Sequence, residues 1–423
     1  MNNLNNKNIG VIGLGKLGSC FATSFAYRGF NVLGLDINLK IINDINNHKA
    51  PFLEPNLDEL IKKSKNKLKA TINSKEIFDF TDIFFIIVPT PSKKDGSFSN
   101  EYIKRAIKPL VEELKNSKQF KIFVITSTTS PLSIQKEIIP FIEKNSSKKF
   151  NKDFTVIYNP TFIAIGDIIK GILEPDLVLI GENNKKAGDV VENIWKKVCI
   201  NKPHIGRMSI ISGEITKIAI NSYITTKISF ANMLGNICER IPGAEIDKIT
   251  SAMGADKRIG KYYLKYGPAY GGPCFPRDNK AFSHFAKTQA KIDALIPVSA
   301  HKINDFQAKF QKDKILKIIK ENKINSLSIL GLAYKTKTYV IEESASIKLI
   351  NELLKNKNLK ITVYDPINLT IEETKKVFGN KLNYAKNLNG ATQNKLIILM
   401  LPYEEFKKVK RLNNKIVIDL WRM

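Results

Sequence analysis

The sequence predicts an α/β protein: two Rossmann-like, doubly wound domains joined by a long central helix. Three observations carry this expectation. An apolar run at Asn8–Ile12 ends in Gly13-Leu14-Gly15-Lys16-Leu17-Gly18 and opens a helical stretch. Short apolar runs then alternate with helical stretches, as a sheet covered on both faces requires. From Ile210 to Ile241 the pattern is one long helix without proline, and a second strand–helix series closes the chain. With 423 residues and 43% hydrophobic content, the chain can bury more than one core.

Taken in order, Asn8–Ile12 is a strand, Ser19–Arg28 a helix that Gly29 ends, and Asn31–Leu35 a second strand followed at once by Asp36. Gly13 allows the tight turn, Gly15 lets backbone amides approach a pyrophosphate, and Gly18 permits close helix–strand packing. The helix N-terminus then faces the phosphates, with Lys16 and Leu17 in the same turn. Asp36 stands where a carboxylate would hydrogen-bond ribose hydroxyls. This favours NAD over NADP, because a 2′-phosphate would meet a negative charge. Further strands are expected at Ile83–Val88, Ile122–Ile125, Thr155–Tyr158 and Leu177–Ile180. Pro89-Thr90-Pro91 and Ser127-Thr128-Thr129 close two of them at the edge where ligands bind in open α/β sheets.

In the long helix, Glu214, Lys217, Asn221 and Tyr223 punctuate an apolar background. Lys217 and Asn221 are spaced i, i+4 and share a face. Their neighbours Ile215, Ile218, Ala219 and Ile220 indicate burial, so both point into something polar. Such a helix suits a domain connector or a dimer core. The final series has strands at Ser328–Leu332, Ile361–Tyr364, Lys395–Met400 and Ile416–Leu420, with a helix over Ser344–Leu354. It echoes the first domain without the glycine fingerprint and reads as a second nucleotide-sized site.

The formal charge of +27 comes from lysines scattered along the chain, with no basic arm and no zinc-finger or RRM pattern. It points to an anionic small substrate and away from nucleic acid. Four widely spaced cysteines give neither a disulfide framework nor paired metal ligands. His48, His204, His284 and His301 form no ligand spacing, so no metal is expected. The polar N-terminus and the lack of a long apolar run predict a cytoplasmic protein with no membrane segment.

Residues 267–278, Gly-Pro-Ala-Tyr-Gly-Gly-Pro-Cys-Phe-Pro-Arg-Asp, place Cys274 in a Gly/Pro-rich turn where backbone can approach a ligand. Asp278 follows four residues later, on the same side if a helix begins there. A cysteine beside a potential base is a candidate nucleophile.

Together these segments, with Glu54-Pro55-x-Leu57, Asn159-Pro160-x-Phe162, Gly331-Leu332-Ala333-Tyr334-Lys335 and Tyr364-Asp365-Pro366, resemble the UDP-glucose/GDP-mannose dehydrogenase family over almost the whole chain. The resemblance implies an NAD-binding domain (1–206), a central helical dimerisation domain (207–305) and a C-terminal nucleotide-sugar domain (306–423). It implies oxidation of a sugar C6 alcohol to a carboxylate, for surface polysaccharide, with two NAD+ and Cys274 as nucleophile. Lys217 and Asn221 would stabilise the C6 oxyanion, while Asp278 and a water held by Thr128 would move protons. Pro89, Thr90 and Thr128 join the glycine turn and Asp36 as cofactor contacts. Phe162, Lys217, Asn221, Tyr263, Leu264, Lys265, Tyr270, Gly271 and Lys335 are implied as substrate contacts, and Arg258 as a residue reaching a neighbouring subunit's site. Four positions depart from the family. Thr161 and Ile165 stand where glutamates are common, Glu342 where arginine is frequent, and Met233 where a glutamate often lies. A divergent homologue that binds nucleotide sugar with impaired chemistry, or releases the aldehyde, is the alternative. A single-step hydroxyacid dehydrogenase would need neither the cysteine turn nor a third domain.

Overall fold

The computed structural model describes residues 7–163 and 166–423; Ile165 lies outside the described residues. The chain forms two compact units, divided between Ala219 and Ile220.

The first unit is built on eight strands: β1 (Asn8–Ile12), β2 (Asn31–Leu35), β3 (Leu68–Thr71), β4 (Ile83–Ile86), β5 (Lys121–Ile125), β6 (Phe154–Tyr158), β7 (Leu177–Gly181) and β8 (His204–Met208). Their spatial order is β3-β2-β1-β4-β5-β6-β7-β8, parallel except where Tyr158 meets Gly181 between β6 and β7. The central strands bury every residue, which is why they read as continuous apolar runs and why helices cover both faces. Strand side chains alternate between two cores. Ile83, Phe85, Ile122 and Val124 join Phe21, Phe25 and Trp195 on one face, whereas Phe84, Ile86, Phe123 and Ile125 join Ile107 and Leu110 on the other. Lys121 opens β5 fully buried. Its ammonium is satisfied by the Phe78 and Thr81 carbonyls and the Asp82 carboxylate, all within 2.9 Å. The strand order reverses between β1 and β4, and the helix Lys16–Tyr27 begins at that switch point.

The second unit carries a five-stranded sheet: β9 (Ser326–Leu330), β10 (Lys360–Tyr364), β11 (Asn383–Tyr384), β12 (Leu396–Leu399) and β13 (Ile416–Asp419). All its pairings are parallel, in the order β11-β10-β9-β12-β13. The expected strand at Ser328–Leu332 lies two residues earlier, because Gly331 at φ +90° turns the chain out of the sheet. The central helix spans Ile210–Cys238, and a second long helix runs unbroken from Leu295 to Glu321, across residue 305. That second helix, β3 and β8 escape sequence reading. The strands sit at the sheet edges, β3 alternating with an exposed position and β8 only half-buried along its length, and the helix has no clear apolar stripe. Among the described residues no helix is long and apolar enough to cross a membrane.

Candidate active site

The cofactor cradle lies at the C-terminal end of β1. Gly13 adopts φ +89° and donates its N–H to the Leu35 carbonyl at 2.8 Å. A Cβ on Gly18 would overlap the Gly13 carbonyl oxygen, so only glycine lets the helix start this close to the strand. Space around Gly15 is open, and the Lys16–Tyr27 helix has no side-chain N-cap. Its first N–H groups therefore suit a diphosphate. Half-buried Asp36 accepts from the Leu14 N–H (2.6 Å) and the Asn38 N–H (2.8 Å), which fixes its carboxylate beside the turn. An open glycine turn, an uncapped helix and a fixed carboxylate fit NAD.

Two hydroxyls brace the loops after β4 and β5 around Pro89. Thr90 donates to the Thr128 carbonyl at 2.7 Å, and Ser127 accepts from the Val88 N–H and donates to the Val88 carbonyl (2.9 and 2.7 Å). On the central helix, buried Lys217 donates to the Thr161 carbonyl at 2.8 Å, and its ammonium lies 4.8 Å from the centre of the Phe162 ring. This contact uses the Thr161 backbone, so it does not depend on the side chain at that position.

In the second unit, exposed Cys274 occupies the N-cap of the helix Phe275–Phe285, at the positive end of its dipole. Asp278 lies in the first turn of that helix, its N–H donating to the Cys274 carbonyl at 2.8 Å. Asn221 donates its side-chain amide to Asp278 Oδ2 at 2.6 Å, with both residues buried. Asn279 backs this pair, donating to Thr225 and to the Tyr270 hydroxyl. The turn before the cysteine has no room for side chains. A Cβ on Gly271 would overlap the Glu343 carbonyl oxygen, and one on Gly272, at φ +83°, would meet the Tyr334 ring. Burial, with the Cys274 charge second, pushes the Tyr334 phenol up.

A cavity of about 310 Å³ opens beside this turn, lined by Tyr263, Lys265, Tyr270, Gly271, Lys335 and Trp421 among others. Two lysines among aromatic walls suit a diphosphate with a flat base attached. Leu264 is buried next to Lys265. Arg258 is instead exposed and paired with Asp256 at 2.6 Å, outside the cavity lining. Glu342 is also exposed and outside the lining, so its charge does not face the cavity.

The chain matches three family descriptions in turn: the UDP-glucose/GDP-mannose dehydrogenase family NAD binding domain over residues 7–199, the central domain over 212–305 and the UDP binding domain over 328–423. The chain belongs to this family. It is an NAD-dependent nucleotide-sugar 6-dehydrogenase. It is 30% identical to the UDP-glucose 6-dehydrogenase TuaD of Bacillus subtilis, over 97% of this chain and 87% of that protein. It is 32% identical to the GDP-mannose 6-dehydrogenase of Pseudomonas savastanoi pv. phaseolicola, over 84% of this chain and 80% of the relative. The UDP-glucose dehydrogenase structure from Pyrobaculum islandicum superimposes with a TM-score of 0.89 at 25% identity, covering 98% of this chain and 94% of that one.

Sequence reasoning passed over several residues that shape the dehydrogenase's sites. Asn279, Thr225 and Asn304 form the polar backing of the cysteine turn, with Asn304 bracketing Tyr270 from both backbone sides. Nothing in a scatter of amides announces such a network before the chain is folded. Glu214 left a clearer signal, as a lone carboxylate in an apolar helix one turn before Lys217.

Proposed function

We propose that this dehydrogenase carries out the full four-electron oxidation of a nucleotide-sugar C6 alcohol to the uronate, through a covalent adduct on Cys274, in surface-polysaccharide synthesis. The observation that carries this reading is the exposed thiol at a helix N-cap with the Asn221–Asp278 pair one turn away. When bound, NAD+ supplies the hydride acceptor for both oxidations. The thiolate of Cys274 adds to the C6 aldehyde, forming a C–S bond as the carbonyl oxygen becomes an alkoxide. Asn221 and Lys217 donate to that oxygen. After the second oxidation the adduct is a thioester, and water attacks its carbonyl carbon, expelling the thiolate. Asp278 takes up and passes on the protons, with the attacking water held by the Thr128 hydroxyl.

Lys265 and Lys335 are assigned to the diphosphate, and Tyr263, Tyr270, Leu264, Gly271 and Phe162 to positioning the nucleotide sugar. The division into NAD (1–206), central (207–305) and nucleotide-sugar (306–423) domains belongs to the same reading. A second copy of the chain is proposed to cover the central helix and its neighbour. Exposed Tyr223, Phe230 and Ile237 recur every seven residues on the former, and Leu295, Ile296 and Phe306 are exposed on the latter.

The test is NADH release across a panel of UDP- and GDP-sugars. Two NADH per sugar and a uronate product are expected, and Cys274→Ser should stop acid formation while NAD still binds. One NADH per sugar with an aldehyde product would overturn the four-electron reading. For the assembly, Ile237→Asp should shift the particle to a monomer in light scattering; an unchanged mass would reject this face as the interface.

A further inference from the structure

Glu214 lies in the core of the first unit, with none of its surface exposed. It accepts three hydrogen bonds from one loop, the segment that follows Thr128: the Thr129 hydroxyl at 2.9 Å, the Leu132 N–H at 2.8 Å and the Ile134 N–H at 3.2 Å. That loop is conformationally demanding. Leu132 sits at φ +73°, and a π-helical turn begins at Ile134. A buried carboxylate is costly to keep in a helix that apolar residues would fill equally well. Its presence calls for something that only fixed acceptors supply, namely an oriented backbone in a strained loop. Three residues further along the same helix stands Lys217, and one residue before Thr129 stands Thr128.

We infer that Glu214 is a positioning residue, locking the loop that presents Thr128 to the helix turn that presents Lys217. The inference rests on the reading of Thr128 as the residue that holds the attacking water, and concerns how this chain keeps that residue in place. Thr128 is itself held through its carbonyl, by Thr90. Glu214 grips the loop just beyond it, through the Thr129 hydroxyl and the Leu132 and Ile134 N–H groups, and so sets where the Thr128 backbone and its hydroxyl sit. Glutamine at 214 keeps the shape and one acceptor oxygen but turns an NH2 toward a donor, so at least one of the three bonds is lost.

The experiment is a double-mutant cycle on the full-length enzyme, reading NADH formation and, separately, NAD binding by fluorescence. Glu214→Gln should lower kcat roughly tenfold to a hundredfold, with the NAD Kd within about threefold of wild type. Thr128→Val should lower kcat as well. The Glu214→Gln, Thr128→Val double variant should be little slower than Thr128→Val alone, because Glu214 acts through Thr128. Thr129→Val, which deletes one of the three donors from the opposite side, should give a smaller loss of kcat, and it keeps the inference testable if Glu214→Gln does not fold. Fully additive losses would show that Glu214 acts independently of Thr128 and would overturn the inference. So would wild-type kcat in Glu214→Gln, or in Thr129→Val should Glu214→Gln not fold. Wild-type kcat in Thr128→Val would instead remove Thr128 from the reaction, and this inference with it.

Discussion

The two sheets begin with the same local construction and put it to different uses. In the first, the Gly13 N–H bonds the Leu35 carbonyl at 2.8 Å, while Asp36 accepts from the Leu14 and Asn38 N–H groups. In the second, the Gly331 N–H bonds the Tyr364 carbonyl at 2.8 Å, while Asp365 accepts from the Leu332 and Ile367 N–H groups. A serine hydroxyl donates to the carbonyl of the residue after the glycine in both, Ser19 to Leu14 and Ser344 to Leu332. The strand orders around these turns, β3-β2-β1-β4-β5 and β11-β10-β9-β12-β13, correspond one to one. Beyond the turn the two sheets part ways. After Leu14 the helix begins at Lys16, so its N-terminus serves an anion directly; after Leu332 the chain runs through Tyr334 and Lys335 before the helix starts at Ala345. The inserted loop replaces a helix terminus with an aromatic ring and an ammonium, and it lines the cavity. Asp365 is meanwhile sealed at 1% exposure, whereas Asp36 keeps a solvent-facing side. One scaffold thus yields a turn that fits a cofactor where it is left open and the wall of a cavity where it is covered.

The sharpest way to break this comparison is to truncate the sealed aspartate. Asp365→Ala leaves the fully buried Leu332 N–H and the part-buried Ile367 N–H without their acceptor. At roughly 1–3 kcal/mol for each orphaned group, the loss should be about 4 kcal/mol, enough to unfold the second sheet or to lower its melting temperature sharply. Calorimetry on the purified variant reads this. A loss below about 1 kcal/mol would mean that Asp365, like Asp36, is dispensable to the fold.

A smaller effect comes from pH and bears on Glu214, the first unit's own sealed carboxylate. Burial pushes its carboxyl from the ordinary 4.5 up to about 7, against the pull of three donors. The folded state therefore binds this proton more tightly than the unfolded chain does. The resulting stability is fully present below the unfolded value and is lost as pH rises through about 7. The shift corresponds to at most about 3 kcal/mol between pH 5 and 8. Glu214→Gln cannot titrate, so wild type should lose stability relative to this variant as pH rises over that range. A flat difference in chemical-denaturation midpoints between pH 5 and 8 would refute it. Asp365 is raised by burial in the same sense, so the second sheet should follow the same direction, with its slope removed in Asp365→Asn.

The glycine turn, Asp36, the cysteine turn and most strands were legible in the sequence, because each depends on local chemistry. A tight turn needs glycine, a fully buried parallel strand needs an apolar run, and a Gly/Pro-rich stretch breaks the helix pattern. The likeness of Asp365 to Asp36 was only half visible. Tyr364-Asp365-Pro366 ends a strand as Leu35-Asp36 does, but whether its carboxylate faces solvent or is sealed depends on the twelve residues between Leu332 and Ala345, which have no periodicity to read. Glu214 shows the same boundary. Its position one turn before Lys217 was plain, and its three partners, some eighty residues earlier in the chain, were not. Arg258, which the family pattern assigns to a neighbouring subunit's site, is exposed in this chain and pairs with Asp256.

The smallest predicted change is the one that separates binding from folding. Asp36→Ala removes the acceptor of the Leu14 and Asn38 N–H groups, but this half-exposed turn lets water take its place. Stability should therefore move by less than about 1 kcal/mol. In the proposed role of Asp36 at the ribose, NAD loses a charged acceptor, which at about 1.5–3 kcal/mol corresponds to a tenfold to hundredfold weaker NAD Kd. By the same reading NADP, freed of a carboxylate facing its 2′-phosphate, should gain relative to NAD. Equilibrium fluorescence titrations with both dinucleotides read the ratio, and the melting curve of the same sample reads the fold. If Asp36→Ala melts as early as Asp365→Ala while its Kd values stay put, the open turn is structural as well, and the two sheets do not divide the work between cofactor and scaffold.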